Sequence, residues 1–586
     1  LARFSVPTAS TSRSGWSGRR ICWREVKTMG EELKDSSLSR RAMLGSVAGA
    51  AVSRTVANAQ DAPLNAIAGV DRVLMLPGRT YLRGWAGYGD PPKPARGPGA
   101  QPAATPPQTE PAPATTWSKE SGPGAVTFAD ARSLITTAAF SVPGAYVLRL
   151  TAEDRQSKAS STLNVTVETP PPSKPLDPVH TRNYRVNNPL WSARFKALMV
   201  NWIPHCIDQI DRTDLTQGPG GIDNFVEAGK ALRGEPHGSH KGFVFSNAWV
   251  HQTVEAMSIA LMIDPQDDAE ILKAHKKMRA TLDEWIPKSL AAQEPDGYLQ
   301  TAFTAGSRVG ARGSIAQGPF RRWERRGDHE GYVAGYFLES AINHHIMTGG
   351  KDTRLYDAAK RLADCWYNNL GPAPKKAWYD GHQEMEQALV RFGRFVNEVE
   401  GGGRGRKYIE LAKFLLDCRY AAAASDRERQ EYDQSHLPVI QQYEAVGHAV
   451  RAVYSYSGMA DIAMETRDVA YQSAVKSLWD NIVNKKYYIT GGVGSGETSE
   501  GFGPNYSLRN RAYCESCSSC GEIFLQWKLN LAYHDARYAD LYEETLYNAL
   551  LGSMDLEGRN FYYTNALEEN APRAPWHNCP CCVGNI

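Results

Sequence analysis

The chain has 586 residues, too many for one ordinary hydrophobic core, so two or more domains are expected. Its 42% apolar and 22% charged residues are the composition of a soluble globular protein. With 66 basic and 64 acidic residues the net charge is only +2, which excludes the strong basic field that draws nucleic acid or an anionic membrane.

Residues 1–28 precede Met29, a natural start, and read as upstream sequence. From position 39 the chain runs Ser-Arg-Arg-Ala-Met-Leu, then the small apolar run GSVAGAAV, then ANA at 57–59. That order resembles a twin-arginine export signal over 29–59, cleaved after Ala59. It implies a protein carried folded to the periplasm or the cell exterior. The apolar run, roughly 11 residues, is too short to span a bilayer, and no later segment is apolar enough for an integral span.

Residues 97–116, GPGAQPAATPPQTEPAPATT, are rich in Pro and Ala and cannot be regular helix. Beyond them Tyr146, Leu148 and Leu150 alternate with Val147, Arg149 and Thr151. Leu163, Val165 and Val167 alternate likewise with Asn164 and Thr166. Period two after the Pro-Gly at 143–144 predicts half-buried strands. The stretch 64–168 is expected to form a small N-terminal β-sandwich. It resembles the immunoglobulin-like polycystic-kidney-disease repeat, a spacer or glycan-facing module with no chemistry of its own. The Pro-rich segment 169–179 reads as a stiff linker out of it.

From about 180 the period becomes helical. Val333, Tyr336, Phe337 and Ser340 share a stripe that stops at Gly349. Leu355, Ala358, Ala359, Leu362 and Trp366 share another that ends at Gly371, and Tyr408, Leu411, Ala412 and Leu415 a third. Recurrent helices with Gly-containing turns predict an all-α array of hairpins over 180–586. An (α/α)6 toroid, with inner helix ends facing a central pocket, is the economical arrangement. The 14 Trp and 27 Tyr suit stacking on sugar rings, and equally the filling of a large helical core.

Of ten cysteines, Cys22, Cys206, Cys365 and Cys418 are scattered. Cys514, Cys517, Cys520, Cys579, Cys581 and Cys582 crowd into the last 73 residues. A disulfide framework would spread its cysteines, whereas clustering points to metal or catalysis. Export in the folded state suits such a site, because metal can be loaded in the reducing cytoplasm before the thiols oxidise. The segment 488–524, YITGGVGSGETSEGFGPNYSLRNRAYCESCSSCGEIF, offers a Gly-rich loop with Glu497 and Glu500, then Glu515 and Cys517 just before a helix. Glu515 and Cys517, two apart, share one side of an extended stretch. Paired with the C-terminal cysteines they make a sulfur and oxygen donor set that zinc accepts, catalytic or structural. The rival is iron–sulfur: Cys514, Cys517 and Cys520 are three-quarters of a ferredoxin run whose fourth position is Phe524. In an extended stretch Cys579 and Cys581 point one way and Cys582 the other; only a turn brings Cys581 and Cys582 to one ion.

YITGGVGS, EGF, YCESC and CPCC resemble glycoside hydrolase family 127, the β-L-arabinofuranosidases. EPDGYLQT (294–301), HEGYVAGYFLESAINHH (329–345), GHQEMEQAL (381–389) and YEAVGHAVRAVYSYSGMADIA (443–463) agree in order. The resemblance covers about 180–586. It implies an exported retaining glycosidase that releases L-arabinofuranose, or a similar pentose-type sugar, from plant cell-wall glycans or glycopeptides. It further implies Cys581 as a zinc-held nucleophile, with Glu515, Cys517 and Cys582 completing the Zn²⁺ site and Cys579 close by without binding. Glu500 matches the general acid/base, with a raised pKa expected and Glu497 as runner-up. His329, His382 and His448 match sugar-pocket histidines, and Tyr547 in TLYNALLG is a further substrate-binding candidate. CCVGN stands where the family shows a CCPPN-like ending, and Ser516 where it shows threonine. The family continues past the cysteines into a last helix and a β-sandwich, so the chain reads as a fragment. Outside this reading stand a related glycosidase with another sugar and a non-catalytic glycan-binding protein with structural zinc.

Overall fold

The computed structural model describes residues 62–91, 112–172, 174–212, 220–306, 321–423, 425, 428–496, 500–568 and 571–582. The export-signal reading at 29–59, most of the Pro/Ala-rich stretch and Glu497 lie outside the described residues.

The strands come first. One sheet has the order β2 (Arg72–Met75), β9 (Lys158–Glu168), β8 (Gly144–Glu153), β5 (Ala114–Ser121). A second has β3 (Arg79–Arg83), β7 (Ile135–Phe140), β6 (Val126–Phe128), and β1 (Leu64–Ile67) pairs with β4 (Trp85–Tyr88). Strands β8 and β9 are antiparallel with Tyr146 opposite Val165 and Leu148 opposite Leu163. The alternation read from sequence therefore points its apolar set inward, where Leu74, Leu82, Trp117, Phe140 and Leu150 complete a core between the two larger sheets. Gly122, at φ +131°, has the Tyr146 ring where a side chain would stand.

The helices follow as α1 (Pro189–Ala197), α2 (Ile203–Ile210), α3 (Asp223–Leu232), α4 (Asn247–Ala260) and α5 (Ala269–Ala291). After the short α6 (Thr301–Thr304) come α7 (Glu330–Thr348), α8 (Arg354–Asn369), α9 (Met385–Glu400) and α10 (Arg406–Ala421). The array ends with α11 (Ala449–Thr466), α12 (Val469–Lys485), α13 (Ser516–Tyr533), α14 (Ala536–Glu544) and α15 (Leu551–Ser553). Side-chain caps at Asp268, Asp468 and Asp535 start α5, α12 and α14, and Gly349 at φ +61° ends α7 where the sequence places the stop. In succession α2 packs on α4, α4 on α7, α7 on α9, α9 on α11 and α11 on α13. Each of α4, α7, α9, α11 and α13 also contacts the helix that follows it, α5, α8, α10, α12 and α14. The result is a series of hairpins with one inner and one outer helix. No described helix is long and apolar enough to cross a membrane.

The sandwich does not stand off as a spacer. The outer edge of β2 lies on α12, where Ser477 and Ser473, one turn apart, accept hydrogen bonds from Val73 N and Met75 N at 2.9 Å each. Helix hydroxyls thus satisfy an edge that would otherwise expose or bury bare N–H groups. Lys476 pairs with Glu168 at 2.6 Å and the Arg72 guanidinium lies 4.6 Å over Tyr443. The Pro-rich segment is likewise laid along the helices, with Leu176 N bonded to Leu531 O at 2.9 Å and Pro171, Pro172 and Pro175 against α11–α13.

Candidate active site

The N-terminal ends of the inner helices converge, and the chemistry-bearing side chains stand there. His329 precedes α7 in a left-handed conformation, His382 lies three residues before α9, His448 caps α11 and Glu515 caps α13. Helix α13 begins at Ser516, five residues earlier than expected, so Cys517 sits in its first turn and only Glu515 is extended.

Two short bridges set the acids. Residues 500–502 run beside 447–449, with Ala449 N bonded to Glu500 O at 3.0 Å and Phe502 N to Gly447 O at 2.8 Å. Gly447, at φ +76°, passes so close to the Glu431 carbonyl that no side chain fits there. This register places Glu500 Oε2 at 2.5 Å from His448 Nε2. A second bridge, Glu515 to Thr564, with Ser516 N bonded to Tyr563 O at 2.9 Å, brings Tyr563 beside the caps.

Residues 581 and 582 form a turn, as needed for both thiols to face one point. Cys581 Sγ is 3.6 Å and Cys582 Sγ 3.7 Å from Glu515 Oε1, and the Cys517 thiol lies 3.0 Å from Cys582 Sγ. One ligand atom from each of Glu515, Cys517, Cys581 and Cys582 falls within 4.8 Å of the others, all buried. The Tyr563 hydroxyl is 3.5 Å from Cys581 Sγ, and Gln252 Nε2 on α4 donates to the Cys581 carbonyl at 3.3 Å.

Thiols of Cys517, Cys579 and Cys582 directed at Cys581 hold its sulfur well below the usual thiol range. Burial pushes Glu515, Cys517 and Cys582 up. Four acids in so small a dry volume cannot all ionise unless a cation shares the space. The residues fit such a cation. Three sulfurs and one carboxylate are a zinc donor set, and Glu515 Oε2 is buried without a hydrogen-bond partner. Cys579 is close, its carbonyl 3.9 Å from Cys581 Sγ, but outside that group. The iron–sulfur run does not assemble: Cys514 packs with Tyr488 and Ala512 instead.

The three histidines line up beside the cluster, with ring centres 5.5 Å apart for His329 and His382 and 5.9 Å for His382 and His448. Burial lowers all three, His329 to about 3, and the Glu500 hydrogen bond partly offsets it at His448. Glu500 corrects the expectation of a raised pKa. Burial pushes it up, but the His448 hydrogen bond and the nearby Arg451 outweigh that and leave it below the usual carboxylate range. Tyr547 is also corrected. It is 43% exposed and packs its ring 5.5 Å from Trp191, outside the cluster, because it lies in the π-helical turn that follows α14. Tyr563 and Gln252 are the residues the sequence reading missed. The FYYTN run around Tyr563 carries no ligand-like spacing, and Gln252 lies inside a buried helix.

The profile of the β-L-arabinofuranosidase, GH127 catalytic domain, family matches residues 183–586. A non-reducing end β-L-arabinofuranosidase of Bifidobacterium longum subsp. longum is 29% identical over 450 residues, 69% of this chain and 64% of that protein. Two solved structures are similar. One, a GH127 β-arabinofuranosidase, is 36% identical with a TM-score of 0.60 over 70% of this chain and 61% of its own. The other, a GH127 β-L-arabinofuranosidase of Geobacillus stearothermophilus T6, is 29% identical with a TM-score of 0.59 over 68% and 63%. The chain spans rather less than two thirds of the length of these relatives.

Proposed function

Because the chain belongs to the GH127 β-L-arabinofuranosidase family, we propose that it is a retaining glycoside hydrolase releasing L-arabinofuranose, with Cys581 as nucleophile and Glu500 as acid/base. The observation that carries this reading is the position of Cys581, a buried thiol 3.6 Å from the Glu515 carboxyl and grouped with the thiols of Cys517 and Cys582. Zinc, when bound by Glu515, Cys517, Cys581 and Cys582, would displace the Cys581 proton to solvent and keep the sulfur a thiolate at neutral pH.

In the first step the Cys581 sulfur attacks the anomeric carbon while Glu500 gives its proton to the departing glycosidic oxygen. In the second Glu500 takes a proton from water, whose oxygen attacks the same carbon and releases the sulfur. Two inversions give retention. His448 holds the Glu500 carboxylate on its Nε2, and His329 and His382, neutral with Nδ1 directed to backbone carbonyls, turn Nε2 toward the sugar as acceptors. In the same reading the hairpins close into an (α/α)6 toroid, and the signal at 29–59 exports the folded protein.

The test is hydrolysis of an aryl β-L-arabinofuranoside by the chain with zinc and reductant. Wild type should turn over, and Cys581→Ser should lose activity by several orders of magnitude while still binding the sugar. Sugar binding without turnover in the wild type would leave a glycan-binding protein with structural zinc.

A further inference from the structure

The inner helices enclose a second cavity, distinct from the cysteine cluster. It has a volume of about 370 Å³, within the range of small-molecule sites. Lys528, one of its walls, is twelve residues along α13 from Ser516, about 18 Å at 1.5 Å per residue. The cavity therefore belongs to the far end of the helices that carry the active site at their near end.

Its charges are already spent on one another. Arg391 pairs with Glu339, Arg394 Nη1 lies 3.1 Å from Asp461 and its Nε 2.5 Å from Glu465, and Lys528 is 2.6 Å from Asp461. Of the remaining acids, Glu255 accepts from Asn343 at 2.6 Å and lies 3.8 Å from Arg391 Nη1, Glu384 accepts from Gln387 at 2.7 Å, and Glu398 at the rim lies 3.8 Å from His180. Burial pushes Glu255 and Glu384 up, Glu384 to about 8. The lining therefore carries no surplus of positive charge to hold an anion.

Hydrogen-bonding capacity does remain. Arg394 Nη2 is buried without a partner, and each carboxyl and guanidinium here has more lone pairs or N–H groups than its bonds use. Between these groups stand the rings of Tyr336, Phe395, Phe524 and Trp527, with Trp527 45% exposed at the mouth beside Tyr542. Paired charges offering spare donors and acceptors, set among aromatic faces, are the surroundings of a neutral polyhydroxylated molecule.

We propose that this axial cavity is a second carbohydrate-binding site, taking a neutral monosaccharide or disaccharide with Trp527 as its aromatic platform and Arg394 as a principal donor. It is separate from the cysteine chemistry, so it persists when that chemistry is removed.

The experiment uses the full chain labelled with 5-fluorotryptophan, the Trp527 resonance being assigned by its loss in Trp527→Phe. L-Arabinose is titrated into the wild type and into Cys581→Ser combined with His329→Ala, with galacturonate as the anionic control. The Trp527 signal should shift saturably with L-arabinose in both proteins, and galacturonate should bind at least tenfold more weakly. Arg394→Gln, shown folded by its thermal melt, should weaken L-arabinose at least tenfold at the same signal. An absence of saturable shift up to 100-fold excess over protein, an equal response to galacturonate, or a shift that vanishes with the active-site variants would each overturn the proposal.

Discussion

Glu500 is the residue on which the acid–base step depends, and its setting makes a signed prediction. A general acid works only while protonated, so the alkaline limb of kcat/KM follows its pKa. The His448 hydrogen bond lowers that pKa, so removing it in His448→Ala should move the alkaline limb to higher pH; a limb that stays in place would mean another group sets it. Glu500→Ala should slow substrates with poor leaving groups most, since good leaving groups depart without a proton, and equal losses on both would remove Glu500 from that role. Tyr563, its hydroxyl 3.5 Å from Cys581 and its ring stacked 4.0 Å from His577, is set to donate to the sulfur anion. A hydrogen bond to a charged group contributes about 1.5–3 kcal/mol, so Tyr563→Phe should lower kcat by roughly 10- to 100-fold with KM little changed. The family resemblance named the four candidate ligands, whereas residue type and spacing alone pointed to Glu515, Cys517 and the C-terminal cysteines and left open which of Cys579, Cys581 and Cys582 share one ion. Tyr547 and Tyr563 were not separable that way: a tyrosine carries no spacing rule, and only the bridge between 515 and 564 decides which one reaches the site.

At the scale of elements, the same contrast between patterned and unpatterned stretches holds. Outer helix α8 shows its apolar stripe plainly, with Leu355, Ala358, Ala359, Leu362 and Trp366 all buried. Inner helices α7, α11 and α13 are buried on nearly every side, so their Ser, Glu and Gln residues are interior and the stripe read on α7 does not single out the face toward the site. The start of α13 was misread for this reason: SCSSC looks like loop, yet its four small residues after Cys517 and around it are packed in the first turns. The β-sandwich was legible from period two, but its seat was not, because Ser473 and Ser477 are unremarkable on a helix until an edge strand lies against them. Their role is testable. Each leaves a buried N–H unpaired when removed, at a cost of about 1–3 kcal/mol. Ser473→Ala with Ser477→Ala should therefore lower the urea midpoint of the whole chain while leaving turnover per folded molecule unchanged. An unchanged midpoint would show that the sandwich contributes no stability to the helical array.

Across the whole molecule, the segment carrying the C-terminal cysteines joins the first inner helices to the last. Phe561 packs 5.5 Å from Trp202, His205 on α2 bonds Pro575 O at 2.9 Å, and Gln252 on α4 bonds Cys581 O. On the opposite side the same segment meets the start of α13 through the Glu515–Thr564 bridge, the Ser516 N–Tyr563 O bond, and the side chains of Cys517 and Glu515. Part of the contact between the last inner helix and the first ones therefore runs through groups that repel when ionised together, and a divalent cation would convert that repulsion into a tie. Zinc binding should accordingly stabilise the fold by mass action, about 2.7 kcal/mol at a hundredfold excess over Kd, and raise the melting temperature. Because the ligands must lose protons to bind, the effect should shrink as pH falls. Hydrogen exchange locates it: on chelation, amides of 576–582 and the first turn of α13 should lose protection while those of β8 and β9 keep theirs. Cys517→Ser should melt at one temperature with or without zinc, whereas a zinc-independent wild-type melt would show that the tie is made by packing alone.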